Sequence, residues 1–278
     1  MKIAILSDAH GILPALETVI DSIDRWQPDY VIVNGDVVNR GPRPLACWQI
    51  VSRRVAQDGW QRTVGNHEQY VVEASQPRPH LNVGEQAMFF ASEWTHQWFS
   101  KEQVATMKKL PLAVRLTAPD QSVLQATHAT LRGTRDGIVP WTTDDELREK
   151  IMDAPTVFVT AHTHRAFVRT IDETLVVNSG AVGVPLDNDT RASYAQVVWR
   201  NGWEAKTVRL AYDRQAAQRD FDDTNFVEAV GASGPLMYYE WLKAESHFPT
   251  WYQTYWERVI SAEISAADAV RDYLARLS

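Results

Sequence analysis

The chain has 278 residues, 45% of them hydrophobic and 23% charged, enough to bury a sizeable core without a disulfide or structural metal. Its net charge of −7 argues against a bulk electrostatic grip on nucleic acid or on an anionic membrane. The single cysteine, Cys47, excludes a disulfide framework, a thiolate zinc site and an iron–sulfur cluster, and no apolar run approaches the roughly 20 residues of a membrane span.

In chain order, Lys2–Leu6 is a short apolar run closing in Ser-Asp, the pattern of a buried strand. Pro14 suits the first turn of a helix along which Leu16, Val19, Ile20 and Ile23 recur at helical spacing. Tyr30–Val33 reads as a second strand, ending in Asn-Gly-Asp, and Pro44 opens a second helix carrying Leu45, Trp48, Ile50 and Val51. Trp60–Val64 reads as a third strand, ending in Gly-Asn-His. Strands alternating with helices imply parallel βαβ units, whose functional groups gather beyond the carboxyl ends of the strands.

From Glu73 to Leu110 the pattern changes. Gln76-Pro77-Arg78-Pro79 breaks the chain, and the rest reads as a helical insertion covering the strand ends. Its Phe89, Phe90, Trp94, Trp98 and Phe99 recur at the spacing of a packing face. Strand signals then dominate at Leu112–Leu116, Val123–Ala126, Thr156–Ala161, Phe167–Ile171, Thr174–Val177, Tyr194–Trp199 and Glu204–Leu210. A helix is expected at Asp144–Met152, and Asn201-Gly202 is a strong hairpin signal. From Asp213 the chain reads as helical again, ending in the amphipathic stretch Ser261–Leu277. Its Tyr238, Tyr239, Trp241, Trp251, Tyr252 and Trp256 suit either a core or a partner surface. Two sheets packed face to face with helices outside would satisfy both halves of the chain.

The chemistry-bearing residues sit at strand ends. Asp8 and His10 follow the first strand, Asp36 the second, and Asn66 and His67 the third. His128 follows Val123–Ala126, and His162 and His164 follow Thr156–Ala161. Side chains so placed converge on one rim, and carboxylate oxygen, amide oxygen and imidazole nitrogen form a ligand set for divalent transition metals. A lone histidine at a strand end is usually a hydrogen-bonding group, and a lone Gly-Asp is a turn. An ordered series at five strand ends is not explained that way. Seven candidate ligands exceed the needs of one ion; were Asp36 to bridge, two ions would take four protein ligands each.

These motifs, Asp8-Ala9-His10, Gly35-Asp36, Gly65-Asn66-His67, His128 and Ala161-His162-Thr163-His164, resemble in order the five motifs of the calcineurin-like metallophosphoesterase superfamily. The resemblance covers roughly residues 1–212. Asn178-Ser179-Gly180-Ala181-Val182-Gly183 is similar to a segment of small prokaryotic phosphodiesterase-type members. Gly35–Gly41 and Gly65–Glu68 are more like the protein phosphatase and diadenosine tetraphosphatase branch.

The resemblance implies an α/β fold, a four-layer αββα sandwich of two mixed β-sheets flanked by helices. It would occupy residues 1–212, with the insertion at about 73–110 and a helical extension over 213–278 packed on the same domain. It further implies two divalent ions, manganese first, with Fe, Zn, Co, Ni or Mg as alternatives. Asp8, His10, Asp36 and His164 would hold one ion, and Asp36, Asn66, His128 and His162 the other. A metal-bridging hydroxide would then attack phosphorus. His67, beside ligand Asn66 but unused as a ligand, would protonate the leaving oxygen. Arg40, four residues past Asp36, would bind a phosphate oxygen with its planar fork, whereas Arg132 and Arg135 read as solvated loop arginines.

The expected substrate is a small phosphomonoester, phosphodiester or nucleotide, with no bulk nucleic acid and no membrane as partner. The N-terminus lacks a signal-peptide pattern, so a cytoplasmic protein is expected. Two departures from the family pattern stand out: Ala161 replaces a glycine, and Asn39 stands where the phosphatase branch has an aspartate paired with the motif-three histidine. A non-catalytic interaction module of the same fold is the alternative, since a retromer subunit keeps this fold without the catalytic histidine. The presence here of His67 and all seven ligand positions argues for the enzyme.

Overall fold

The computed structural model describes residues 1–152 and 155–277. Strands β1 (Lys2–Leu6), β2 (Tyr30–Asn34) and β3 (Gln61–Thr63) alternate with helices α1 (Leu13–Trp26) and α2 (Pro44–Asp58). β1 pairs with β2 and β2 with β3, both in parallel, as the βαβ pattern requires. Pro14 and Pro44 fall in the first turns of their helices, where a missing N–H leaves no helical bond unmade. The third strand is shorter than the run Trp60–Val64. Helix α3 (Asn66–Glu73), which the sequence pattern did not reveal, starts almost at once.

The second half supplies β4 (Ala113–Thr117), β5 (Val123–Thr127), β6 (Val157–Thr160), β7 (Phe167–Ile171), β8 (Thr174–Asn178), β9 (Ala192–Trp199) and β10 (Trp203–Leu210). Two mixed five-stranded sheets result, ordered β10-β9-β1-β2-β3 and β4-β5-β6-β8-β7. The β9–β10 hairpin turns at Asn201 and Gly202, whose φ values of 57° and 156° are conformations that Asn and Gly tolerate best.

Side-chain alternation along the strands decides the layering. Ile3 and Ile5 of β1 meet Leu124, Ala126, Val157 and Val159 in the core between the sheets. Ala4 and Leu6 face the other way, into the core shared with α1 and α2. The outer face of the second sheet is covered by α6 (Asp144–Ile151), through Leu147 and Ile151 against Phe158 and Val176. This is the four-layer αββα arrangement, with the outer helical layer on the second sheet much thinner than on the first.

The insertion folds as α4 (Val83–His96) and α5 (Lys101–Lys108), opened by capping boxes at Asn82 and Ser100. Trp94 and Phe99 join the core, whereas Phe90 and Trp98 are exposed, so its aromatic residues form no single packing face. The C-terminal helices are α7 (Arg214–Asp223), α8 (Phe226–Ala229), α9 (Gly234–Lys243), α10 (Phe248–Ile260) and α11 (Ala266–Ala275). Of the aromatic cluster, Trp241 and Trp251 are core, Tyr238, Tyr239 and Trp256 are half-buried and Tyr252 is exposed. The amphipathic stretch Ser261–Leu277 is helical only from Ala266 to Ala275. α10 runs to Ile260, the chain turns at Ala262 (φ 59°), and Ser265 then caps α11 by accepting from the Asp268 amide.

Candidate metal centre

All seven candidate ligands and His67 gather at the carboxyl ends of β1, β2, β3, β5 and β6. Asp8, His10, Asp36, Asn66, His128 and His164 are buried. The backbone is bent sharply to deliver them. Asp8, His10, Asp36, His162 and His164 all have φ between 48° and 63°, a region that costs a non-glycine residue on the order of 1 kcal/mol or more. Such strain concentrated at five neighbouring side chains marks a functional site. The motif glycines are sterically required: a Cβ on Gly65 would lie 2.1 Å from Asp36 Oδ1, and one on Gly35 would lie 2.7 Å from His128 Nδ1. Ala161 replaces the family glycine at little cost, because it is not among the residues of positive φ.

The ligand atoms form two groups that meet at Asp36. In the first, His164 Nε2 lies 3.1 Å from Asp8 Oδ1 and 3.2 Å from His10 Nε2. In the second, Asn66 Oδ1 lies 3.1 Å from His128 Nε2 and 2.8 Å from His162 Nδ1. Asp36 Oδ2 sits between them, 3.2 Å from His128 Nε2 and 3.8 Å from His10 Nε2. By distance alone His67 could join His10 and Asp36 around an ion as well.

The residues fit divalent cations. Three histidines donate Nδ1–H to backbone carbonyls: His10 to Val38 (3.3 Å), His128 to Asn34 (2.8 Å) and His164 to Val184 (2.5 Å). Each Nε2 lone pair is thereby turned into the cluster, the usual outer-shell arrangement of a metal-binding histidine. The Nε2 lone pairs of His10 and His164 then face each other at 3.2 Å, a contact that only a shared proton or a cation relieves. Both carboxylate oxygens of Asp8 and Oδ2 of Asp36 are buried without a hydrogen-bond partner among the described residues. Buried carboxylate oxygens of that kind call for a positive charge.

Left without a cation, the cluster meets that demand with a proton on His128, which a bound ion would displace. Burial holds His67 down at about 3 and His162 at about 4, and pushes His10 well below the ordinary imidazole range, so all three stay neutral. Burial also opposes charge on His128, but the adjacent Asp36 carboxylate outweighs it and carries His128 up to about 10. Asp36 is in turn held ionised against its own burial chiefly by the adjacent charged His128.

Two residues outside the assigned set organise the site. Glu68 is buried and accepts from the backbone amides of Asp36 (2.8 Å), Val37 (2.8 Å) and Gly65 (2.9 Å), so it ties two motif loops together. Burial and the neighbouring Asp36 push its carboxyl pKa up. The one sequence signal for it was its place directly after Gly-Asn-His. Asn39 faces His67. Its Oδ1 accepts from the Arg40 amide (2.9 Å) and Thr95 Oγ1 (3.1 Å), which fixes the amide so that Nδ2 donates to His67 Nδ1 at 2.9 Å. A neutral His67 must then carry its proton on Nε2. Arg40 reaches Glu240 on α9 as an ion pair. Arg135 lies over the Tyr70 ring, 4.6 Å from its centroid, and Tyr70 meets His67 edge-on at 5.2 Å. Arg132 instead pairs with Asp136.

With that geometry established, similarity to known proteins can be read. The uncharacterized protein MJ0912 of Methanocaldococcus jannaschii is 24% identical over 244 residues, covering 82% of this chain and 95% of that protein. A metallophosphoesterase from Sphaerobacter thermophilus shares the fold at a TM-score of 0.63 and 23% identity, over 83% of this chain and 97% of its own. The hypothetical protein PH1004 from Pyrococcus horikoshii superposes at a TM-score of 0.70 and 15% identity, over 82% and 95% of the two chains. Residues 1–166 match the calcineurin-like phosphoesterase family, and the chain belongs to it.

Proposed function

We propose that this protein is a dinuclear metal-dependent phosphoesterase acting on a small phosphomonoester, phosphodiester or nucleotide. The observation that carries the reading is the pair of ligand groups meeting at Asp36, with three Nε2 lone pairs aimed inward and three buried carboxylate oxygens unpartnered among the described residues. Asp8, His10, Asp36 and His164 would hold one ion, and Asp36, Asn66, His128 and His162 the other. Bound there, two divalent ions would supply a water acidified toward neutral pH and would polarise the phosphoryl oxygens.

The remaining roles belong to the chain. Asn39 orients the His67 ring and leaves its proton on Nε2, so that an N–H can hydrogen-bond a departing oxygen; transfer of a proton to that oxygen needs the ring in its protonated form. Arg40 offers its fork to a phosphoryl oxygen. The folded loops fix these groups in advance of substrate, which is where preorganised electrostatic catalysis gains its advantage. A small substrate is favoured by the acidic net charge, which gives no field for gathering long nucleic acid.

The test is hydrolysis of bis(p-nitrophenyl) phosphate and p-nitrophenyl phosphate by Mn²⁺-loaded protein, with metal content measured in parallel. Two ions per chain and metal-dependent turnover are expected. Two bound ions without turnover on these or on a panel of phosphorylated metabolites would favour the non-catalytic module instead. A chain that binds fewer than two ions would overturn the dinuclear reading.

A further inference from the structure

The C-terminal helices reach into the site at one point. Glu240 on α9 is only 1% exposed, although it is a carboxylate. Its Oε1 accepts from the His247 amide (2.6 Å) and the Phe248 amide (2.8 Å), the first free N–H groups of α10. Its Oε2 pairs with Arg40 Nη2, and the Arg40 side chain keeps only 12% of its exposure. Phe248 lies against the guanidinium, its ring centroid 5.2 Å away. Arg40 Nε is buried with no hydrogen-bond partner among the described residues.

The turn that carries Arg40 is locked onto the metal-centre loops. Arg40 has φ 63°, its amide donates to Asn39, and a Cβ on the following Gly41 would lie 2.1 Å from the His10 carbonyl oxygen. The guanidinium therefore stands between the candidate metal centre and α9. Its positive charge is felt at His10, His67 and Tyr252, where it opposes protonation of the histidines. A solvated loop arginine would sample many rotamers. This one is held from behind by a carboxylate that is itself fixed by two backbone amides.

We propose that Glu240 is a positioning residue of the phosphoester site, pinning the Arg40 fork beside the metal centre so that its remaining N–H donors meet a phosphoryl oxygen. The proposal rests on the reading of Arg40 given above and makes the C-terminal extension part of the active site. Holding the fork in place before substrate arrives removes the ordering cost that a free arginine would add to binding.

The experiment compares wild type, Arg40→Ala, Glu240→Gln and the double variant, all loaded with Mn²⁺. The readouts are KM and kcat on bis(p-nitrophenyl) phosphate, inorganic phosphate affinity by titration calorimetry, and Tm. Glu240→Gln keeps an acceptor for the two amides but loses the charge that holds Arg40. It should raise KM and weaken phosphate binding by about tenfold, the usual worth of one charge-assisted contact, with kcat changed much less. In the Arg40→Ala background the same change should do nothing further to KM or phosphate affinity.

Additive effects, or a fall in Tm with KM and phosphate affinity unmoved, would make Glu240 a fastener of the extension and overturn the proposal. Normal phosphate affinity in Arg40→Ala would overturn it too, while leaving phosphoesterase activity standing. Should wild type show no turnover, the calorimetric cycle still decides the Glu240–Arg40 coupling. If Glu240→Gln does not fold, Glu240→Asp keeps the charge one methylene further from Arg40 and should weaken phosphate binding in the same direction.

Discussion

Replacing Asn39 by aspartate changes one atom of a side chain whose hydrogen bonds are all defined. In the native protein Nδ2 donates to His67 Nδ1 at 2.9 Å and to Ser92 Oγ at 3.0 Å, while Oδ1 accepts from the Arg40 amide and Thr95 Oγ1. Asn39→Asp keeps both acceptor contacts, and the Ser92 hydroxyl can rotate to become the donor. At His67 the change is chemical: Nδ1 must now carry a proton, and a negative charge faces the ring. Two unit charges about 4 Å apart at an effective dielectric of about 20 interact by about 4 kcal/mol, or about 3 pK units as an upper bound. Screening by solvent and by bound metal ions reduces this, so a rise of roughly 1–3 units is expected.

Burial holds His67 down at about 3 before the change, so the variant's imidazole moves toward the range in which proton transfer is useful. The sign is fixed: a higher pKa keeps the ring protonated to higher pH. The limb of kcat/KM governed by the protonated acid therefore moves to higher pH by the same amount. The assay is kcat/KM against pH on an alkyl phosphate ester, variant beside wild type, at saturating Mn²⁺ so that loss of metal affinity cannot imitate the effect. ¹⁵N chemical shifts of the His67 ring should show the proton moving to Nδ1. A limb that stays where it is at saturating metal, with the proton moved to Nδ1, would refute the role of His67 as the leaving-group acid.

Three further outcomes are expected. Asp36→Ala should leave at most one tightly held ion per chain and abolish turnover, because both ligand groups share that carboxylate; two ions retained on elemental analysis would sink the bridging role. His67→Ala should lower turnover of an alkyl ester by ~10²–10⁴ while a p-nitrophenyl ester suffers less, and equal losses on both would assign His67 to positioning instead. Glu68→Ala leaves the amides of Asp36, Val37 and Gly65 without their acceptor, so it should cost on the order of 3 kcal/mol in denaturant unfolding and weaken metal binding; an unchanged midpoint would show that water replaces the carboxylate.

The candidate ligands were legible from the sequence because each is tied to a local signal, an apolar run that ends in a short polar motif. A parallel strand delivers whatever follows its last residue to the same rim, so Asp8, Asp36, Asn66, His128 and His162 needed no knowledge of long-range packing to be grouped. Two sheets with helices outside were expected from the order of strand and helix signals, and the αββα layering from the family resemblance, whereas which strand pairs with which came only from the fold. Other features were decided by contacts between distant parts of the chain. Glu68 takes its role from backbone amides that the folded loops bring to it, and Asn39, singled out in the sequence only by the family resemblance, meets the His67 ring through the same loops. The pairing of Arg40 with Glu240, across a separation of 200 residues, is the extreme case: nothing near either residue in sequence announces the other, and only the docking of α9 against the metal-centre loops creates the contact.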